Sequence, residues 1–235
     1  MFLAAASGLP QLDLPKIVLA IGSLGTAAYG VVDVSKSFGG GVSNRGFGDI
    51  KKVVSQFIPA SPAGSSGSAL SQTSVLETLR ANWLNGMALG DQKSVAKALI
   101  KLNLNEDTAG KMAAATGVNA DVLKSIARKL PTGAKLEDGE TDAYGRFDLL
   151  LTAVLDQGYQ RGDQRYRNSA KLLAVPAAVG LALLGAWALS TDGLSSLDAW
   201  RAVAGGLLAT PLAPMAKDLA SAIQEGAKLA QAWKK

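Results

Sequence analysis

The chain has 235 residues, a net charge of +5 and a hydrophobic content of 48%, and it contains neither His nor Cys. The missing residue types exclude disulfides, Cys nucleophiles and Ser-His or Cys-His triads and leave few metal ligands, so we predict no catalytic residues, no metal ion and no cofactor. The length and the apolar composition favour a small membrane protein with one polar domain, because a disordered chain would be less apolar.

The positive charge has two interpretations. A basic chain can bind nucleic acid, but the Lys and Arg residues of this chain gather beside its apolar segments. Anionic lipid headgroups account for basic residues in such places. We therefore favour membrane lipids over nucleic acid as partners.

The first apolar segment, residues 17–32, carries no charge and lies between Lys16 and Asp33. As a helix it would be about 24 Å long, which is short for a bilayer, so neighbouring apolar residues extend it. A signal peptide is the alternative, but the residues before Lys16 lack the positive charge of its first region. We predict an uncleaved transmembrane helix within an N-terminal segment, residues 1–37.

The next segment, residues 38–70, is rich in Gly, Pro and Ser and contains one apolar run at residues 50–58. Its stretch 59–68 has the composition of a flexible linker. The triple glycine at 39–41 lacks the following Gly-Lys-Ser/Thr of a phosphate-binding loop. We predict a linker over the whole of residues 38–70.

Residues 71–168 are predicted to form a cytoplasmic helical domain. Ser74 and Glu77 have the spacing of a capping box, which predicts a helix start. Three further helices are predicted: over 91–102, over 106–116 with Asn105 as cap, and over 120–130 with Asn119 as cap and Pro131 as stop. A last helix is predicted to begin at about Thr141 and to continue, without a strong breaker, into the second membrane span.

The turn between two of these helices has the spacing of a helix-turn-helix unit, carried by Ala113, Gly117, Val118 and Leu123. Asp121, at the start of the second helix, has the wrong charge to face phosphates. The same turn occurs in helical bundles that bind no DNA. We therefore interpret it as structural.

Two more apolar segments form a predicted transmembrane hairpin, residues 169–217. The span 172–189 carries no charge and follows a basic cluster of Arg161, Arg165, Arg167 and Lys171. The turn 190–198 contains no Lys or Arg, and the third span covers residues 199–216. The distribution of Lys and Arg predicts that the N-terminus lies outside and the C-terminus in the cytoplasm, with the basic cluster as the orientation signal.

Small residues in the spans are predicted to form packing surfaces, because they let helices approach closely where lipid supplies no hydrophobic drive. The glycines concerned are Gly22, Gly25, Gly180, Gly185, Gly205 and Gly206. Three such helices bury little by themselves, so we favour a homo-oligomer over packing within one chain.

Trp187, Trp200 and Trp233 are predicted interface anchors. An amphipathic helix is predicted over residues 218–235, on the inner leaflet, on the bundle or on another subunit.

The stretch 147–189 resembles a group of uncharacterised bacterial membrane proteins, in which a polar helix with an acidic residue and then a Tyr-basic pair enters a C-terminal pair of spans. Asp156, Tyr166 and Arg167 take those places, and Asn168 stands where a second basic residue is usual. The resemblance implies a bacterial inner-membrane location and no catalytic role.

The sequence thus predicts an all-α membrane protein with three transmembrane helices and a cytoplasmic helical bundle inserted between the first and the second. Its predicted function is that of a non-enzymatic, homo-oligomeric scaffold or pore-like assembly. The alternative is a membrane-tethered sensor or adaptor, or a membrane-permeabilising effector, whose helical domain binds a cytoplasmic protein.

Overall fold

The computed structural model describes residues 14–60, 71–191 and 193–232, and within these ranges every regular element is a helix. A short 3-10 turn, Ser35–Ser37, follows the first of eight α-helices. They are α1 (Leu14–Val34), α2 (Ser43–Phe57), α3 (Gln72–Leu84), α4 (Leu89–Leu102), α5 (Glu106–Thr116), α6 (Ala120–Thr132), α7 (Asp138–Leu189) and α8 (Ser196–Ala232).

The chain divides into two compact units. Residues 39–167 form the first, which we call the helical unit. Residues 1–38 and 168–235 form the second, which we call the apolar unit. Helix α7 contributes its N-terminal part to the helical unit and its C-terminal part to the apolar unit.

The helical unit has a hydrophobic core of its own. Along α7 the buried side chains Phe147, Leu151, Leu155 and Tyr159 repeat every four residues, which places them on one helix face. They pack in one cluster with apolar side chains of α2, α3, α4, α5 and α6. Burial of this stripe is what holds a helix of mixed composition in place, because burying each large apolar side chain contributes about 2 kcal/mol.

Helix α2 lies in the segment predicted as a linker. Its residues Phe47, Ile50, Val54 and Phe57 are all buried in the core of the helical unit. They follow the i, i+3, i+4 pattern of an amphipathic helix, and this pattern outweighs the two glycines that lower the helix propensity. The linker therefore does not extend over residues 43–57, and residues 61–70 lie outside the described residues.

The helix ends depend on local polar groups. Asn105 and Asn119 cap α5 and α6 as predicted, each by accepting two backbone N–H groups. The first turn of α3 differs from the prediction, because its cap is Ser71, whose hydroxyl accepts the N–H of Ser74 at 3.2 Å. Pro131 does not end α6, which continues to a left-handed Gly133.

The apolar unit contains α1, the C-terminal part of α7 and α8. Two helices are long and apolar enough to cross a membrane: α1, together with the 3-10 turn that follows it, and α7. Helix α8 runs without interruption through Pro211 and Pro214. It therefore joins the predicted third span and residues 218–232 of the predicted C-terminal helix into one element, and residues 233–235 lie outside the described residues.

Candidate functional site

Two glycines of α1 lie directly against α8. A methyl group at Gly22 would overlap the Cβ atom of Ala216, and one at Gly25 would overlap the carbonyl group of Ala209. Both glycines are buried, as is Ala28 one turn further along. The backbones of α1 and α8 can approach this closely only because these positions lack larger side chains.

The direction of this contact bears on the membrane topology. Gly22 meets Leu212 and Ala216, whereas Gly25 meets Ala209 and Ala213, so the two helices run antiparallel. In the predicted three-span topology both helices would run from the outside to the inside, and hence parallel. The direction of α8 relative to α1 therefore differs from the direction that the predicted topology requires.

The other predicted packing glycines divide into two groups. Gly206 lies against Val179 of α7, where an added methyl group would be 2.5 Å from the Cα atom. Gly180, Gly185 and Gly205 have no atom within 4 Å of such a methyl group. The structure therefore uses half of the six glycines for contacts within the chain and leaves the other half facing open space.

The apolar unit exposes large hydrophobic side chains. Trp187 is 65% exposed and Trp200 is 72% exposed, one near the end of α7 and the other near the start of α8. Trp233 lies outside the described residues. Other exposed apolar side chains of this unit are Leu14, Val31, Val34, Phe38, Leu172, Leu173, Leu184, Leu189, Leu197, Leu207, Leu208 and Met215.

The predicted basic cluster lies on α7. Arg161, Arg165 and Arg167 belong to the helical unit and Lys171 to the apolar unit, and all four are exposed. The Nε atom of Arg165 is 3.2 Å from a carboxylate oxygen of Asp49, a residue of α2. Arg167 pairs with Asp163 one turn earlier at 2.7 Å.

Sequence reasoning missed the contact of α2 with α7. A methyl group at Gly46 would be 2.5 Å from the carbonyl oxygen of Gly162, and one at Gly158 would be 2.8 Å from Val53. The indole N–H of Trp83 donates to the carbonyl of Ser43 at 3.0 Å, next to this crossing. The apolar stripe of α2 and the glycines of α7 were the signals available in the sequence.

Ion pairs connect α4 to α7 within the helical unit. Lys93 pairs with Asp156, and Asp148 accepts from Lys97 at 2.6 Å and from Lys101 at 3.0 Å. Burial opposes the ionisation of Asp148, but the hydrogen bonds from the two lysines outweigh it and lower its pKa. Each charge in this row has a partner of opposite sign, so the row is suited to joining helices rather than to acid-base chemistry.

A second polar cluster surrounds Glu140 in the first turn of α7. Its carboxylate accepts hydrogen bonds from Lys129 at 2.7 Å, from the hydroxyl of Ser125 at 2.6 Å and from the backbone N–H of Glu137 at 2.9 Å. These bonds, that from Lys129 foremost, lower the pKa of Glu140 to about 2. The cluster holds a charge in place at the start of α7, and the low pKa makes the Glu140 carboxylate a weak base towards the Ser125 hydroxyl.

The helix-turn-helix spacing corresponds to α5 and α6. Gly117 adopts the left-handed conformation at the end of α5, and Ala113 and Leu123 are buried in the core. On the outer face of α6, Arg128 pairs with Glu106 at 2.9 Å. Asp121 lies exposed in the first turn, so the face that DNA would contact carries an acidic residue.

Among the described residues, no three acidic side chains come together in a way that would hold a metal ion. The chain matches no protein-family model, no curated protein and no solved structure. The described residues offer two candidate functional surfaces, the exposed apolar side chains of the apolar unit and the polar surface of the helical unit.

Proposed function

We propose that this chain is a non-enzymatic membrane protein, in which the apolar unit is the anchor and the helical unit is a binding domain for another protein. The observation that carries the proposal is the exposed apolar surface of α1, α7 and α8, with Trp187 and Trp200 both more than half exposed. Soluble proteins rarely expose so many large apolar side chains on neighbouring helices, and lipid is the solvent that stabilises them.

The division of the chain supports a binding domain rather than a simple anchor. The helical unit buries its own core, and its ion pairs between α4 and α7 are made within the unit. Such a domain folds around its own contacts and leaves its outer surface for a partner. Gly22, Gly25 and Gly206 make their close contacts with helices of the same chain, so these contacts need no second copy. They therefore favour a membrane-tethered adaptor over an oligomer.

Self-association is a second candidate function, and a separate observation favours it. Gly180, Gly185 and Gly205 have open space around them, although small residues in apolar helices are typical of close helix contacts. A second copy of the chain would supply the missing neighbour. An assembly of several copies would then act as a scaffold.

The test uses the full chain in vesicles and in mild detergent. We expect it to float with vesicles and to resist extraction at alkaline pH; extraction into the aqueous phase would contradict the anchor. Mass measurement in detergent then separates the two candidates. A monomer favours the adaptor, whereas an oligomer that Gly185→Leu dissociates favours the scaffold. Gly145→Leu, which changes an equally open glycine of α7 in the helical unit, is the matched control.

A further inference from the structure

Helix α2 carries a charged stripe on its outer side. Arg45, Asp49 and Lys52 are spaced i, i+4 and i+7, which places them along one face of the helix. Arg45 and Lys52 are exposed. This stripe is separate from the buried apolar stripe of α2, so its exposed side chains are available to bind a partner.

Helix α7 carries a matching stripe where it crosses α2. Arg161 and Arg165 are one turn apart and exposed, and Arg165 forms the ion pair with Asp49. The close approach of Gly46 to Gly162 brings the two helices together at this level. The two stripes therefore form one surface, which we call the basic face and define by Arg45, Lys52, Arg161 and Arg165.

The basic face has an excess of positive charge. It holds four cationic side chains and one carboxylate, that of Asp49, which pairs with Arg165 and whose side chain is 16% exposed. Within the described part of the chain, Arg45, Lys52 and Arg161 form no ion pair. The other lysine row of the unit differs, because Asp148 and Asp156 neutralise most of it. The basic face is thus suited to an anionic partner.

We propose that the basic face binds the headgroups of anionic phospholipids. Guanidinium groups match the geometry of phosphate oxygens, and clusters of basic residues next to membrane segments bind anionic lipid. The chain supports this partner, because Arg45 and Arg165 lie only a few residues from the two points where the chain passes from the helical unit to the apolar unit. The inference rests on the proposed membrane anchor and adds a lipid preference to it.

The experiment uses the full chain with one cysteine, Gln56→Cys, because the natural chain has none. Gln56 is exposed and continues the stripe of α2, so an environment-sensitive dye there reports on the basic face. The labelled protein in neutral detergent micelles is titrated with micelles containing phosphatidylglycerol and, separately, phosphatidylcholine. We expect a dye response that saturates at lower concentration with phosphatidylglycerol.

Two double variants give the comparison. Arg45→Gln with Lys52→Gln removes two charges from the face and should weaken phosphatidylglycerol binding about 25-fold, since each basic residue near an anionic surface contributes about fivefold. Lys111→Gln with Lys124→Gln removes two exposed charges from α5 and α6 and should change the binding less than twofold. Circular dichroism checks that both variants stay folded.

Three results would overturn the lipid proposal: equal affinity for the two lipids, equal loss in both double variants, or tighter binding of a nucleic acid duplex that phosphatidylglycerol does not displace. Each of these leaves the membrane anchor untouched, because anchoring is measured by vesicle flotation in phosphatidylcholine alone. Failure of flotation overturns the anchor and is seen independently of the dye response.

Discussion

The glycines of α1 have different surroundings, although their sequence contexts are similar. Gly25 lies against the carbonyl group of Ala209, whereas Gly30, on the same helix, has nothing within 4 Å of an added methyl group. Glycine destabilises a helix relative to alanine, so it is favourable only where a larger side chain would clash with a neighbour. The function of each glycine in α1 is therefore set by its distance from α8.

Gly25→Ala should destabilise the protein by about 2 kcal/mol, because an inserted methyl group overpacks a rigid backbone contact. Gly30→Ala, the matched control, should be neutral or slightly stabilising, by up to about 1 kcal/mol, because alanine favours the helix and meets no neighbour. Thermal unfolding in detergent measures both. Equal effects of the two variants would show that α1 does not pack on α8 at Gly25.

Glu140 makes the helical unit sensitive to acid. Its folded pKa of about 2 lies below the ordinary value of 4.5, so its contribution is complete above about pH 4.5 and is lost as the pH falls towards 2. Glu140→Gln should therefore be less stable than the natural chain at neutral pH, and the gap should close between pH 4.5 and 2. Denaturant unfolding at several pH values measures the gap, and a gap independent of pH would contradict the role assigned to Lys129 and Ser125.

At the residue scale, the capping asparagines were predictable and the glycine contacts were not. Asn105 and Asn119 accept hydrogen bonds from backbone N–H groups two and three residues later, so the local sequence is enough to predict their capping role. The contact of Gly22 depends on which helix lies opposite and in which register. Composition marks all six glycines alike and cannot separate Gly22 from Gly180.

At the scale of elements, helix α2 matters most for the helical unit. It supplies Phe47, Ile50, Val54 and Phe57 to the core and meets α7 at Gly46. The apolar spacing was visible in the sequence, but the neighbouring Gly, Pro and Ser residues favoured a linker. The continuous helix α7 was predictable, because no strong breaker occurs before Pro176 and the apolar stripe repeats at helical spacing.

Gly46→Ala tests the crossing of α2 and α7. The added methyl group would be 2.5 Å from the backbone of Gly162 and 2.8 Å from Trp83, so we expect a loss of about 2 kcal/mol in the free energy of unfolding. Gly48→Ala is the control, because this glycine of α2 is exposed and has no neighbour. Tryptophan fluorescence during denaturant unfolding follows both. If Gly46→Ala were as stable as Gly48→Ala, α2 would not cross α7 at this residue.

At the scale of the whole molecule, the division into a polar and an apolar part followed from the sequence, whereas the direction of α8 relative to α1 did not. The topology prediction counted Lys and Arg on either side of each span and so made α1 and α8 parallel. The contacts of Gly22 and Gly25 make them antiparallel. Charge counting carries no information on which helices pack together, and for this reason it did not anticipate the pair.

The proposed membrane anchor contains α1 and α8 as an antiparallel pair, and single cysteines report the relative direction of the two helices. Leu14→Cys marks the start of α1 and Ala222→Cys the C-terminal third of α8, two exposed positions in a chain without natural cysteines. A membrane-impermeant maleimide is applied to right-side-out and to inverted membrane vesicles. The antiparallel pair predicts that both cysteines react in the same vesicle preparation, whereas reaction in opposite preparations would contradict it.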